Sequence, residues 1–127
     1  MTQQLAQTGI RGIATVAVPV RDSERALAFY RDTLGLEVRR DVPFGGGARW
    51  IEVAPAGAAT TIALAPPGSL TPGVDTGIRL STGTCEADQQ ALRDRGVEVG
   101  EIMRWPGVPP MFSLRDPDGN TLYVVEG

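Results

Sequence analysis

A chain of 127 residues, 42% of them hydrophobic and 21% charged, has the size and composition of one globular domain that buries a core without disulfides or a structural metal. Its formal charge of −3 comes from 12 basic and 15 acidic residues scattered in both signs, so there is no basic stripe to neutralise a phosphate backbone, and nucleic acid is not an expected partner. One cysteine, Cys85, rules out an internal disulfide and a thiolate metal cluster and points to a reducing cytoplasm; no stretch approaches the ~20 apolar residues that cross a bilayer, and no export signal is evident at the N-terminus.

In chain order, a polar N-terminal stretch leads into a strand over Ile13 to Val20, with Val16, Val18 and Val20 on one face and Ile13, Thr15, Ala17 and Pro19 on the other. Asp22 or Ser23 supplies an N-cap, and Ala26, Leu27, Phe29, Tyr30 and Leu34 recur at helical spacing until Gly35 provides the stop. The spacing predicts an amphipathic helix of about three turns. Strands follow over Leu36 to Val42, Arg49 to Ala54 and Thr60 to Ala65, with Gly45-Gly46-Gly47 as a hairpin turn, a hinge or a flexible lip over a pocket.

Pro66 to Asp75, rich in Pro and Gly, reads as a linker, after which the same order begins again. Gly77 to Thr82 is a strand, Glu86 to Arg95 a helix closed by Gly96, and Val97 to Arg104, Pro109 to Arg115 and Thr121 to Glu126 are strands, the last after the turn at Asp118-Gly119. The chain is therefore read as one α+β domain of two βαβββ modules, about residues 11–66 and 76–127 joined by a linker at about 67–75. Curved mixed sheets with their helices on the outer faces would enclose a cavity for a small molecule.

Three segments carry a family resemblance: Val18-Pro19-Val20-Arg21-Asp22 leading into Ala28-Phe29-Tyr30-Arg31-Asp32-Thr33-Leu34-Gly35-Leu36; Ala91-Leu92-Arg93-Asp94-Arg95-Gly96-Val97; and Phe112-Ser113-Leu114-Arg115-Asp116-Pro117-Asp118-Gly119-Asn120. In this order and at these separations they resemble the vicinal oxygen chelate superfamily, which includes glyoxalases, bleomycin-resistance proteins and extradiol dioxygenases. Each segment also has a structural reading of its own, as helix anchor, helix stop or tight turn. The resemblance implies the glyoxalase/bleomycin-resistance fold and a homodimer, in which modules of one or both chains assemble the cavities. It also implies a divalent metal held by His and Glu side chains, acting as a Lewis acid. The matching ligand positions fall on Thr15, Ala63, Gly77 and Tyr123, of which only Thr and Tyr are even weak ligands. Since the chain has no histidine, no metal and no cofactor are expected, and glyoxalase-type isomerisation and extradiol cleavage are not expected either.

Strand alternation turns Ile51 and Val53 under the helix and Trp50 and Glu52 towards the cavity, and it places Arg79 beside Gly77. Arg79 either binds a carboxylate, phosphate or enolate oxygen of a ligand, or pairs with Glu52, or reaches solvent. Trp50 and Trp105 are candidates to stack on a flat ligand, with packing as the alternative for each. Tyr123 is a candidate hydrogen-bond donor or general acid, or else a hydroxyl satisfied by Thr15 or the backbone. Met111 and Ser113 are placed on the same wall, Met as apolar contact and Ser as polar handle. Cys85 opens the second helix, where a dipole-stabilised thiolate is one reading and a small buried hydrophobe the favoured one.

The ligand-binding set is thus Thr15, Trp50, Ala63, Gly77, Arg79, Trp105, Met111 and Ser113, with Glu52 and Tyr123 as candidates for catalysis. The favoured expectation is a metal-independent protein similar to the bleomycin-resistance branch, binding a small aromatic or amphipathic molecule. The alternative is a metal-free lyase, isomerase or cyclase in which Glu52, Tyr123 or Arg79 handles a proton or an oxyanion, Glu52 having the raised pKa that burial beside Trp50 would produce. A third, weaker reading is a non-catalytic interaction domain.

Overall fold

The computed structural model describes residues 7–68 and 70–127; the first residues of the polar N-terminal stretch and Ser69 of the linker lie outside the described residues. Two four-stranded mixed sheets are formed, each from one half of the chain and each with the same order of strands. The first contains β1 (Thr15–Pro19), β2 (Glu37–Pro43), β3 (Arg49–Ala54) and β4 (Thr61–Ala65), ordered β1-β4-β3-β2; β1 runs parallel to β4 and the other pairs are antiparallel. The second contains β5 (Asp75–Thr82), β6 (Met103–Trp105), β7 (Val108–Arg115) and β8 (Thr121–Glu126), ordered β5-β8-β7-β6, again with one parallel pair, β5 and β8. The helices α1 (Ser23–Leu27, continuing over Ala28–Thr33) and α2 (Cys85–Asp94) each link the first two strands of their sheet. This is the α+β glyoxalase/bleomycin-resistance architecture.

Alternation decides which face of each sheet meets the core. Val18, Val20, Ile51, Val53, Ile62 and Leu64 are buried against Ala26, Leu27 and Tyr30 of α1, and Phe112, Leu114, Leu122 and Val124 against Cys85 and Leu92 of α2, so that one apolar cluster runs through both halves. The opposite, inner faces carry Thr15, Ala17, Trp50, Glu52, Thr61 and Ala63 in the first sheet, and Arg79, Met111, Ser113 and Tyr123 in the second.

Asp22, one of the two N-cap candidates, caps α1, its Oδ1 accepting from the backbone N–H of Glu24 and Arg25 at 3.0 and 3.2 Å. Two local features differ from the sequence expectation. The second half of this helix widens into a π-helix over Ala28–Thr33, with Leu34 N–H donating to the Phe29 carbonyl five residues back. In these wide turns the Tyr30 ring is buried and edge-on to Phe29 (centroids 5.2 Å apart, 84° between planes), and its hydroxyl donates to Asp116 at 2.8 Å. The expected strand Val97 to Arg104 is reduced to Met103–Trp105 plus a lone bridge between Val99 and Leu114. Gly100 interrupts it: its N–H donates to the Ser113 carbonyl, and its own carbonyl is taken by the Gln89 side chain at 2.8 Å.

The turn Asp116 to Asn120 fastens the second half to the first. Asn120, fully buried, donates to the Pro19 carbonyl at 2.7 Å and to Asp116 Oδ2 at 3.0 Å, and accepts from Gly73 and Val74 N–H at 2.8 and 3.1 Å. Asp118 Oδ1 accepts from the Arg21 backbone and from the Arg21 and Arg25 guanidiniums. Asp118 Oδ2 is buried without a donor among the described residues. Burial and the neighbouring Asp116 carboxylate push the Tyr30 phenol far above its ordinary pKa, so it stays protonated as a donor.

Candidate functional site

On the inner face of the first sheet, Glu52 is the hub. Trp50 Nε1 donates to its Oε2 at 2.7 Å, and the Thr61 hydroxyl is 2.7 Å from its Oε1 and 2.8 Å from the Thr15 hydroxyl. Thr15 in turn donates to the Thr61 carbonyl at 3.2 Å. Strand register explains the cluster: Thr15 faces Thr61 across β1 and β4, while Glu52 faces Ala63 across β3 and β4. Ala63 is fully buried and contributes no polar atom. The bonds from Trp50 and Thr61, helped by the positive charge of Arg40 and opposed by partial burial, hold the Glu52 carboxyl below the ordinary carboxylate range. The raised pKa expected from burial beside Trp50 is therefore corrected: the indole and hydroxyl donors outweigh desolvation. The Trp50 ring leans on Phe44 (centroids 5.4 Å apart), beside the turn where Gly45, Gly46 and Gly47 all take positive φ to close the β2–β3 hairpin.

On the inner face of the second sheet, Arg79 and Tyr123 are register partners across β5 and β8, and the guanidinium lies over the tyrosine ring, 4.8 Å from its centroid. Tyr123 donates to Asp75 Oδ2 at 2.6 Å, Asp75 Oδ1 accepts from Gly77 N–H at 3.0 Å, and Arg79 Nη1 donates to the Gly77 carbonyl at 2.8 Å. Strand β5 is irregular between Asp75 and Arg79, where Gly77 takes φ of 69°, a left-handed value that suits a glycine. The bond to Asp75 raises the Tyr123 pKa and, with the Gly77 N–H, lowers that of Asp75. Tyr123 is thus satisfied by Asp75, not by Thr15 or the backbone, and Arg79 is stacked on a ring, not paired with Glu52.

Ser113 faces Tyr123 and Met111 faces Val125 across β7 and β8. A β-carbon at Gly100 would meet Ser113 Oγ at 2.7 Å, so a side chain there would force the Ser113 hydroxyl into another rotamer. Trp105 stands 54% exposed where the β6–β7 hairpin turns through Gly107. Cys85 is buried and its thiol pKa is raised, first by burial and then by Glu126 and Asp88, so the dipole-stabilised thiolate reading fails and the small-hydrophobe reading stands.

A cleft of about 520 Å³ lies where the two halves meet, lined by Val16, Thr61 and Ile62 of the first sheet and Ile78, Arg79 and Leu80 of the second. Each inner-face cluster contributes one side chain to its lining: Thr61, which bonds Glu52, and Arg79, which covers Tyr123. A smaller cleft of about 260 Å³, among Leu34, Leu36, Leu92 and Arg95, borders the larger one and shares Pro55, Leu80 and Ser81 with it. Thr61, Asp75 and Arg40 were missed in the sequence; the period-2 rule applied back from Ala63 reaches Thr61, whereas Asp75 and Arg40 sit at register shifts, between Asp75 and Arg79 and between Val38 and Arg40, that the pattern does not reveal.

The positions at which a metal would be held do not fit one. Thr15 is bonded to Thr61, Ala63 and Gly77 offer no side-chain donor, Tyr123 is bound to Asp75, and no three His, Cys, Asp or Glu side chains converge among the described residues. No described helix is long and apolar enough to cross a membrane.

Comparison with known proteins places these features in a context. The sequence model of the Glyoxalase/Bleomycin resistance protein/Dioxygenase superfamily matches residues 12–124. The chain is similar to the uncharacterized protein YetH of Bacillus subtilis (strain 168), 32% identical over 123 residues, covering 92% of this chain and 99% of that one. Among solved structures it is similar to TnmS3, an antibiotic binding protein from Streptomyces sp. CB03234, with 35% identity, a TM-score of 0.81, and 94% and 98% of the two chains covered. A member of the same superfamily from Sphaerobacter thermophilus DSM 20745 superposes with a TM-score of 0.87 at 33% identity, covering 93% of this chain and 98% of that one.

Proposed function

The chain belongs to the Glyoxalase/Bleomycin resistance protein/Dioxygenase superfamily, and on that premise we propose that it binds a small aromatic or amphipathic molecule, without a metal, on the inner faces of its sheets and in the cleft between them. One observation carries this reading: both groups that an acid–base mechanism would use are displaced away from neutrality. Glu52 is held low by Trp50 and Thr61, Tyr123 is held high by Asp75, and a general acid or base works best with a pKa near the working pH. Both are suited instead to be fixed partners that orient a ligand. The similarity to an antibiotic binding protein supports the same direction.

The ligand-binding set is Thr15, Trp50, Ala63, Gly77, Arg79, Met111 and Ser113 along the two faces, with Trp105 at a hairpin tip. A continuous apolar cluster through both halves supports treating residues 1–127 as one working domain. The protein acts as a cytoplasmic homodimer in which a second copy covers the open inner faces; exposed Phe44, Trp105 and Val108 at the hairpin ends support this, and the mass in solution by light scattering tests it.

The experiment for binding is fluorescence titration with 8-anilinonaphthalene-1-sulfonate, following both probe enhancement and Trp quenching. Saturable binding is expected, and Glu52→Gln should keep the affinity within about fivefold, because the amide oxygen still takes the Trp50 N–H while the amide NH2 donates to the Thr61 hydroxyl. No saturable binding by this probe or its uncharged analogue would sink the proposal. The alternative reading, a metal-free lyase, isomerase or cyclase in which Glu52, Tyr123 or Arg79 handles a proton or an oxyanion, requires Glu52→Gln, Tyr123→Phe or Arg79→Gln to abolish a turnover.

A further inference from the structure

All twelve basic side chains of this protein are arginines, and seven of them, Arg21, Arg25, Arg31, Arg39, Arg49, Arg104 and Arg115, sit against carboxylates. Arg79 does not: among the described residues no carboxylate oxygen lies within 4.0 Å of its nitrogens. The nearest candidate, Asp75, lies on the same strand, but its two oxygens take the Tyr123 hydroxyl and the Gly77 N–H. The guanidinium is nevertheless held in place, stacked 4.8 Å from the centre of the Tyr123 ring and tied through Nη1 to the Gly77 carbonyl. Its side chain is exposed and lines the cleft between the two sheets.

A guanidinium fork immobilised on an aromatic ring, without its own carboxylate and facing a cleft, is built to receive an anion from outside. Most of the rotamer entropy that an arginine loses on binding is already lost here. Its Nε and Nη2 edge remains available for the parallel pair of hydrogen bonds that a carboxylate or sulfonate accepts. The partly buried apolar side chains of Val16, Ile78 and Leu80 in the same cleft suit the body of such a molecule.

We propose that the ligand is an amphipathic organic anion, an apolar or aromatic body bearing a carboxylate, sulfonate or comparable acidic group, and that Arg79 binds that group while the cleft takes the body. This rests on the binding reading above and specifies the chemistry of its ligand. Tyr123 and Asp75 are positioning residues that hold the guanidinium, and Gly77 supplies the backbone carbonyl that orients it.

The test compares two probes that share one skeleton, N-phenyl-1-naphthylamine, which is uncharged, and 8-anilinonaphthalene-1-sulfonate, which adds the sulfonate. Fluorescence titration of the full chain should show the sulfonate tighter by about tenfold or more, the scale of one charge-assisted interaction. In Arg79→Gln that preference should fall to about twofold or less, and Arg93→Gln, exposed on α2 outside the cleft, should leave the preference and the affinity of the uncharged probe unchanged. Equal binding of both probes by the unaltered protein overturns the inference and leaves the binding reading standing. A sulfonate preference that survives Arg79→Gln overturns it as well, by placing the anion elsewhere. If neither probe binds, the binding reading falls and the inference with it.

Discussion

The turn that joins the two halves and the inner faces of the sheets are both rich in polar side chains, yet they use them in opposite ways. At the turn, Tyr30, Asp116 and Asn120 are buried, and their side chains bond to one another, to backbone N–H groups of the turn itself, or to the backbone of Pro19, Gly73 and Val74. On the inner faces, Glu52, Tyr123 and Arg79 lie at the surface or only part-buried, and one of them, Arg79, makes no ion pair within 4.0 Å among the described residues. Buried polar groups left unpaired cost stability, so a fold places its satisfied networks inside and its spare donors where a ligand can reach them. The contrast separates residues that hold the architecture from those that can recognise something.

That contrast is open to direct attack. Its largest expected consequence is for Asn120→Ala, which strands the Pro19 carbonyl and the N–H groups of Gly73 and Val74. A stability loss on the order of 3 kcal/mol is expected by urea denaturation, and a loss under about 1 kcal/mol would show that the turn does not fasten the halves. Tyr30→Phe removes one donor from Asp116, which keeps its bonds from Asn120; about 1.5 kcal/mol should be lost, with the folded spectrum intact.

Thr61→Val should act in the other way, changing stability by less than about 1 kcal/mol because the carboxylate it leaves is only partly buried. Its readout is a titration. Folding lowers the Glu52 pKa below its ordinary value of 4.5, so the stabilisation it brings is complete above that value and is lost as pH falls through the lower folded value. Trp50 emission, followed in a Trp105→Phe background, should report that midpoint below 4.5, and Thr61→Val should move it upward. A midpoint above 4.5 in the unaltered protein would break the assignment of Glu52 as a fixed anion and revive the general-base reading.

Much of the architecture was legible in the residues. The repeated order of strand, helix and three strands followed from period-2 and helical spacing together with the glycine stops, because those patterns are local consequences of backbone geometry. The same alternation put Trp50 and Glu52 on the face opposite Ile51 and Val53. The strand expected at Val97 to Arg104 failed because its pattern carries no sign of the Gln89 and Ser113 contacts at Gly100, which come from other parts of the chain.

The sequence by itself determined the fold family, the absence of imidazole ligands and which faces of the strands carry polar side chains. Only the tertiary structure decided the partners: that Thr61 and Trp50 converge on Glu52 and depress its pKa, that Asp75 takes the Tyr123 hydroxyl, and that Arg79 is left stacked on an aromatic ring. The physical reason is that periodicity is set within one strand, whereas a pKa or an ion pair depends on distances of a few ångströms between strands far apart in the chain.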